Sequence, residues 1–144
     1  MPTATAMLRS HPHPHPEMDP ILRCAYACFT CMQACGICAD ACLSEANVAK
    51  LTACIRLDLD CADICSATGQ ILQRLGRTGP QPLQAMLAAC AEACRTCAEE
   101  CRKHAAMHEH CRICAEACEA CYAACEDMMK SMRHAGESEG AGKA

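Results

Sequence analysis

The fold is decided by a cysteine-rich stretch at residues 24–42, which reads CAYACFTCMQACGICADAC. Its cysteines follow one another at intervals of 4, 3, 4, 3 and 4 residues. Side chains three and four residues apart lie on the same face of an α-helix. The stretch therefore predicts a helix with one face made of thiols. The cysteines of this face are Cys24, Cys28, Cys31, Cys35, Cys38 and Cys42.

Three further segments carry the same spacing. Residues 90–101 read CAEACRTCAEEC, and the row at 111–125 is continued by Met128 and Met132. The remaining segment has fewer cysteines, and Asp58 occupies a position where another is expected. The cysteines are Cys54, Cys61 and Cys65, then Cys90, Cys94, Cys97 and Cys101, then Cys111, Cys114, Cys118, Cys121 and Cys125. The opposite faces are charged, with Asp40, Arg56, Glu92, Arg95, Glu99, Arg102, Glu116 and Glu119. The four thiol faces must therefore meet in a common core.

The composition indicates what fills this core. The 144 residues include 18 Cys and 28 Ala, whereas Leu, Ile, Val and Phe together number 18. Alanine and sulfur must therefore replace the usual large apolar side chains. The net charge of −4 argues against nucleic acid as a partner. The sequence contains no run of 18 apolar residues, so a membrane span is not predicted. The first twenty residues lack the features of an export signal, so we expect a cytoplasmic protein with reduced thiols.

The breaks between segments predict an all-α, antiparallel up-and-down bundle of four helices. Ser44 is a plausible N-cap of the second helix. A Gly- and Pro-containing break lies at 76–80, and a turn is expected at 104–108. Residues 1–17 contain alternating His and Pro, which predicts a flexible tail without a helix, and 134–144 is a second flexible tail. The predicted helices are about 18–43, 45–75, 81–104 and 107–133, which form one domain at 18–133.

The thiol rows favour Cu(I) over other uses of cysteine. Packing alone does not explain eighteen cysteines, although a free Cys can act as a small hydrophobe. Disulfides within a helix would be strained, because Cβ atoms about 5–6 Å apart exceed the usual distance of about 3.8 Å. Zinc and iron–sulfur clusters need discrete groups of four ligands. Soft thiolates select Cu(I), with a capacity that approaches one ion per cysteine, or about 18.

The CxxxC and CxxC rows within a predicted four-helix bundle resemble the copper storage protein family, particularly its cytosolic branch. The resemblance covers residues 18–133. It implies non-enzymatic storage of many Cu(I) ions as thiolate clusters and assembly into a homotetramer. Such a protein would limit copper toxicity and supply copper enzymes, with a copper chaperone as a candidate partner. Two alternatives stay open here, an iron–sulfur electron-transfer protein and a thiol redox enzyme.

The residues at the two ends of the bundle predict the end at which copper enters. His104 and His108 continue the thiol rows beyond Cys101 and Cys111, which makes them candidate ligands, whereas exported relatives of the family present methionines there. His110 falls off the row and is predicted to lie on the surface. Asp58 is a candidate weak ligand, proton acceptor or simple polar residue, and the His-Pro tail is either a copper-capturing or a merely mobile segment. The opposite end is predicted to be an apolar plug of Leu22, Leu72, Leu83, Met86, Leu87, Met128 and Met132.

Overall fold

Long helices occupy the segments in which cysteine recurs every three or four residues. The computed structural model describes residues 2–75, 77 and 79–142. Helices α2 to α5 form the predicted four-helix bundle, because each packs against the next along the chain and α5 closes against α2. The helices are α1 at Pro2–Arg9, α2 at Met18–Leu43, α3 at Thr52–Gln73, α4 at Pro80–His104 and α5 at Glu109–Gly142, with a 3₁₀ turn at Val48–Lys50.

The connection between α2 and α3 differs from the prediction. Ser44 is the C-cap of α2, and its backbone N–H donates to the carbonyl of Ala41 at 3.0 Å. The prediction that Ser44 is the N-cap of the following helix is therefore wrong. The 3₁₀ turn lies between the two helices, and Leu51, which is fully buried, anchors the chain before α3 begins.

The other two turns fall where the sequence predicts them. Leu75 follows α3 with φ at +62°, and its N–H donates to the carbonyl of Leu72 at 2.9 Å. Gly79 has φ at +112°, which favours glycine, and Pro80 begins α4. Gly76 and Thr78 of the predicted break lie outside the described residues. The turn between α4 and α5 forms at residues 105–108 without Gly or Pro.

Both terminal segments contain more helix than predicted. Helix α1 lies within 1–17, so the prediction that this segment holds no helix is wrong. Its only proline stands at the first helical position, where proline is tolerated, and the His-Pro repeat begins after the helix ends. Leu8 of α1 packs against the core. Helix α5 continues beyond the predicted end at 133 to Gly142, and the flexibility of either tail stays a prediction.

The core consists of sulfur and alanine, with a few leucines. All 18 cysteines are buried, while the eight charged residues predicted for the outer faces are exposed. Among the described helices, only α2 has the length and mean hydropathy, 1.4 over its most apolar window, of a membrane span. Its six cysteines face the other bundle helices, which is the arrangement of an internal helix.

Helices α2 and α3 approach closely where a glycine meets the only phenylalanine of the chain. An ideal Cβ placed on Gly69 would lie 2.7 Å from Cε1 of the Phe29 ring. Gly36 also lies within a bundle helix, but it is exposed and a Cβ there would have no neighbour within 4 Å. A side chain at position 69 would therefore collide with Phe29, whereas a side chain at position 36 would meet no steric obstacle.

We expect Gly69→Ala to lower the free energy of unfolding relative to Gly36→Ala by at least about 1 kcal/mol. Both variants gain helix propensity of up to about 1 kcal/mol, but only Gly69→Ala overpacks the contact with Phe29, at a cost of about 1–3 kcal/mol. Urea unfolding of the two reduced apoproteins measures the difference. Equal stabilities would contradict the close approach of α2 and α3.

Candidate metal centre

Thiols from all four bundle helices meet along a common axis, as the sequence predicts. Cys35 of α2 and Cys118 of α5 have their Sγ atoms 3.6 Å apart. Between α3 and α4, the Sγ atoms of Cys65 and Cys90 are separated by 3.7 Å. All 18 cysteines are free and at most 2% exposed. These thiols therefore form a sulfur-lined interior that is almost completely shielded from solvent.

The thiols form overlapping groups rather than isolated sites. Within each group the Sγ atoms lie no more than 4.8 Å from one another, and neighbouring groups share Cys121, Cys31, or Cys35 with Cys118. A thiol that belongs to two groups can bridge two metal ions. Five of the groups are Cys28, Cys90, Cys121 and Cys125; Cys31, Cys65, Cys94 and Cys121; Cys31, Cys35, Cys61 and Cys118; Cys35, Cys97, Cys114 and Cys118; and Cys38, Cys42, Cys54 and Cys111.

Asp58 is a fully buried carboxyl group among these thiols. Its Oδ1 atom accepts from Cys97 at 3.1 Å and from Cys114 at 3.4 Å. Burial, with a smaller contribution from the nearby thiols Cys114 and Cys97, raises the pKa of Asp58 to about 11. Asp58 therefore carries a proton at neutral pH in the metal-free protein. In this form it accepts hydrogen bonds from the thiols but cannot take up a further proton from them.

Burial also keeps two thiols near one end of the bundle, Cys42 and Cys111, in their neutral form. It raises the pKa of Cys42 to about 11, and it is the largest cause of the raised pKa of Cys111. The thiolate is the form that binds a metal ion. Metal binding at this end must therefore displace protons into the solvent.

Three histidines lie at the end of the bundle formed by the turn between α4 and α5. His108 Nδ1 lies 2.5 Å from Oε2 of Glu45, and His104 Nε2 lies 3.9 Å from Oε2 of Glu100. The partners of these two predicted site residues are therefore carboxylates rather than thiols. The Nε2 atoms of all three imidazoles are buried without a hydrogen-bond partner among the described residues. An imidazole held by a carboxylate through one nitrogen presents the other to a metal ion.

His110 is the histidine that contacts the thiols, so the prediction that it lies on the surface is wrong. Its Nδ1 atom lies 3.4 Å from Cys38 Sγ and 3.6 Å from Cys111 Sγ, and its ring stacks on His108 with centroids 5.4 Å apart. The prediction rested on helical spacing, which places His110 one residue before Cys111 and therefore off the thiol row. In the structure His110 lies in the first turn of α5, directly after the chain reverses at residues 105–108, and its ring reaches Cys38 of α2.

Sequence analysis also missed Glu45 and Glu100, which accompany these histidines. Glu100 is one residue before Cys101 on α4, and Glu45 follows the C-terminal cap of α2. Their acidic side chains at the histidine end of the bundle are the signal that was available. The group of His104, His108, His110, Glu45 and Glu100 is called the mouth below.

The opposite end is closed by apolar side chains, as predicted. The five buried members are Leu22, Leu72, Leu83, Leu87 and Met128, while Met86 and Met132 are half-buried. This plug leaves the mouth as the polar end of the sulfur-lined interior.

The fold and site define a metal-binding four-helix bundle, and comparison with known proteins identifies its family. The model of the family described as copper storage protein matches residues 17–130. This chain therefore belongs to the copper storage protein family.

Two solved structures of one relative are similar to this chain. The first is the copper storage protein Ccsp of Streptomyces lividans loaded with 10 copper equivalents, which is 48% identical, with a TM-score of 0.82. The match covers 88% of this chain and 98% of that one. The second, a cytosolic copper storage protein from the same organism with five coppers, is 51% identical with a TM-score of 0.75, over 78% of this chain and 94% of that one.

A more distant structure shows the same relationship. The Cu(I)-bound copper storage protein BsCsp3, from Bacillus subtilis, is 40% identical with a TM-score of 0.66. The match covers 74% of this chain and 94% of that one. The prediction of the family from the cysteine rows is thereby confirmed.

Replacing the buried acid tests its protonation. The folded protein binds one proton more than the unfolded chain between about pH 4 and pH 11 because the pKa of Asp58 is raised from 3.8. Rising pH therefore favours unfolding by about 1.4 kcal/mol per unit. Asp58→Asn removes this dependence, so the unfolding free energy of the variant should rise relative to that of the parent by about 4 kcal/mol between pH 5 and pH 8. Parallel profiles for the two reduced apoproteins, measured by urea unfolding, would contradict a neutral Asp58.

Proposed function

We propose that this protein stores and buffers many Cu(I) ions as thiolate clusters inside its four-helix bundle. The observation that carries the proposal is the overlap of the thiol groups, because shared sulfurs allow a chain of bridged ions. Cu(I) is selected by soft thiolate ligands. The bound cations also neutralise the charge of many thiolates in one core.

The same overlap argues against the alternatives. A structural zinc site uses four ligands of its own, and an iron–sulfur cluster likewise needs a discrete set of cysteines. Here Cys31 belongs to two groups, as do Cys35, Cys118 and Cys121. The membership of the copper storage family likewise favours copper over iron–sulfur chemistry. We propose a role in storage rather than catalysis.

We propose that all 18 cysteines are Cu(I) ligands and that the bundle at 18–133 is the copper-binding unit. Their burial and their mutual Sγ distances support this assignment. Asp58 is proposed as a polar residue of the metal site that accepts hydrogen bonds from the thiols, since Cys97, Cys101 and Cys114 donate to it. As each thiol is deprotonated by an arriving ion, the affinity for copper should fall with falling pH.

We propose that copper passes through the mouth, with His104 and His108 as the first ligands. Glu45 orients His108 through Nδ1 and leaves Nε2 for the ion. His110 then transfers the ion to Cys38 and Cys111, because its Nδ1 atom contacts their Sγ atoms. The apolar plug supports this direction, because the buried side chains of Leu72, Leu83 and Leu87 offer an ion no ligand atom.

The partners and the compartment of this protein are further proposals. Exposed Tyr26 and Ile37 on α2, with Ile113 on α5, support contacts between bundles in a homotetramer. A copper chaperone is the proposed partner for exchange of the metal. The similarity to a cytosolic relative supports a cytoplasmic location, and the net charge of −4 argues against nucleic acid.

An anaerobic titration of the reduced protein with Cu(I) tests storage directly. With a competing chromophoric chelator present, we expect saturation well above four equivalents, approaching about one per cysteine, with ultraviolet thiolate-to-copper absorption and no visible colour. Saturation at one to four equivalents would indicate a discrete site and defeat the proposal. A brown product with stoichiometric sulfide after anaerobic purification would favour the iron–sulfur alternative.

The mouth is tested by the rate of loading. His108→Ala and Glu45→Gln should each slow the increase of thiolate-to-copper absorption by about tenfold, because one removes the ligand and the other its orientation. The final copper content should not change, since every thiol is retained. Stopped-flow mixing under anaerobic conditions measures the rate.

His11→Ala is the matched control for these variants. His11 lines a cavity with Arg74 and Leu75 near the start of α4, away from the mouth. If His11→Ala slows loading as much as His108→Ala does, copper capture belongs to the His-Pro segment. Unchanged loading in all three variants would rule out the mouth as the route.

A further inference from the structure

A cavity far from the mouth reaches the thiol row of α2. It has a volume of about 360 Å³ and lies between α2 and α5 near the plug. Cys24 lines it, and Cys24 is the first thiol of the α2 row. The cavity therefore leads from solvent to a thiol at the plugged end.

Small residues create this space. Ala120, Ala123 and Ala124 form the α5 side of the cavity, and the first two are exposed. A longer side chain at either position would fill the cavity without replacing a thiol. The plug closes the axial path at this end, so the cavity is a lateral path.

The rim of the cavity carries one positive and one negative side chain, Arg23 and Asp127. Among the described residues, neither takes part in an ion pair. Both are therefore available to a ligand that carries a carboxylate and an ammonium group. An amino-acid zwitterion has these two charges.

A comparison with the cavity beside Cys61 shows what is particular here. That cavity has a volume of about 320 Å³, but its charged residues are Asp60 and Glu92, and Cys61 is completely covered. Its acidic rim would repel a carboxylate. The charge of the rim therefore distinguishes the two cavities for an anionic or zwitterionic thiol.

We propose that the cavity at Cys24 binds a low-molecular-weight thiol with an amino-acid zwitterion, which withdraws Cu(I) from the stored pool. This inference rests on the proposed storage function and adds a release site to it. The incoming sulfur forms a bond to a Cu(I) ion while the bond from that ion to Cys24 Sγ breaks, and a second incoming thiol displaces the remaining protein sulfur of the ion in the same way. The proton of each incoming thiol passes to the cysteine that it displaces. Copper stays in the +1 state, so the exchange needs no oxidant or reductant.

The test uses the copper-loaded protein, glutathione as the probe and a chromophoric Cu(I) chelator as the final acceptor. Ala123→Leu should slow the glutathione-dependent transfer of copper by about tenfold, because the filled cavity no longer admits the thiol. Its copper content and its slow transfer without glutathione should match the parent. Ala89→Leu, which fills the cavity beside Cys61 in the same way, should leave all rates unchanged.

A charge variant keeps the proposal testable if Ala123→Leu does not fold. Arg23→Gln should slow transfer to glutathione by about threefold and leave transfer to the uncharged thiol 2-mercaptoethanol unaltered. Arg56→Gln, an exposed position on α3, is its control.

Two results would overturn the release site. One is equal glutathione-dependent rates in Ala123→Leu and Ala89→Leu. The other is an Arg23→Gln variant that behaves like Arg56→Gln with both thiols. Because copper content is measured first, a protein that loads fully but shows either result contradicts only the release site. A protein that fails to load contradicts the storage function itself.

Discussion

The structure depends on a property of the thiol, which packs as a small apolar group when protonated and binds soft metal ions when deprotonated. Eighteen such groups occupy the positions that leucine and isoleucine take in an ordinary bundle. The metal-free protein therefore retains a filled core. The metal-binding protein uses the same atoms as ligands, so no separate binding cavity has to be built.

The use of thiols both as packing groups and as ligands restricts which other residues the interior can contain. A core of thiols places each helix close to the axis, and at Gly69 there is no room for a Cβ beside Phe29. Among the described residues, Asp58 is the only buried carboxyl residue of the core, and burial raises its pKa so that it is neutral at physiological pH. Charges are confined to the outer faces and to the mouth, where Glu45 and Glu100 accompany the histidines.

The sequence was sufficient to predict the bundle and its thiol core, because a spacing of three and four residues permits only one face of a helix. The turn at 105–108 also followed from packing lengths. The geometry of the mouth was not predictable in the same way. Whether His110 points inwards depends on how the backbone reverses after His104, and helical spacing carries no information about a turn.

The termini show a second limit of sequence reasoning. The prolines between His11 and His15 exclude a helix only in their own segment and not in the whole of residues 1–17. Pro2–Arg9 contains strong helix formers and forms α1. Ser44 has the chemistry of an N-cap, yet the 3₁₀ turn at Val48–Lys50 places it at the end of α2. The propensity of Ser44 for a helix cap was predicted correctly, but the helix end that it caps was not.

The most direct test of the central claim is anomalous diffraction at the copper edge from crystals of the fully loaded protein. The account predicts a file of copper peaks along the bundle axis, between the Sγ atoms of the four helices and at the positions of the overlapping thiol groups. Copper found on the outer faces or at the His11–His15 segment, with an empty sulfur-lined interior, would contradict it.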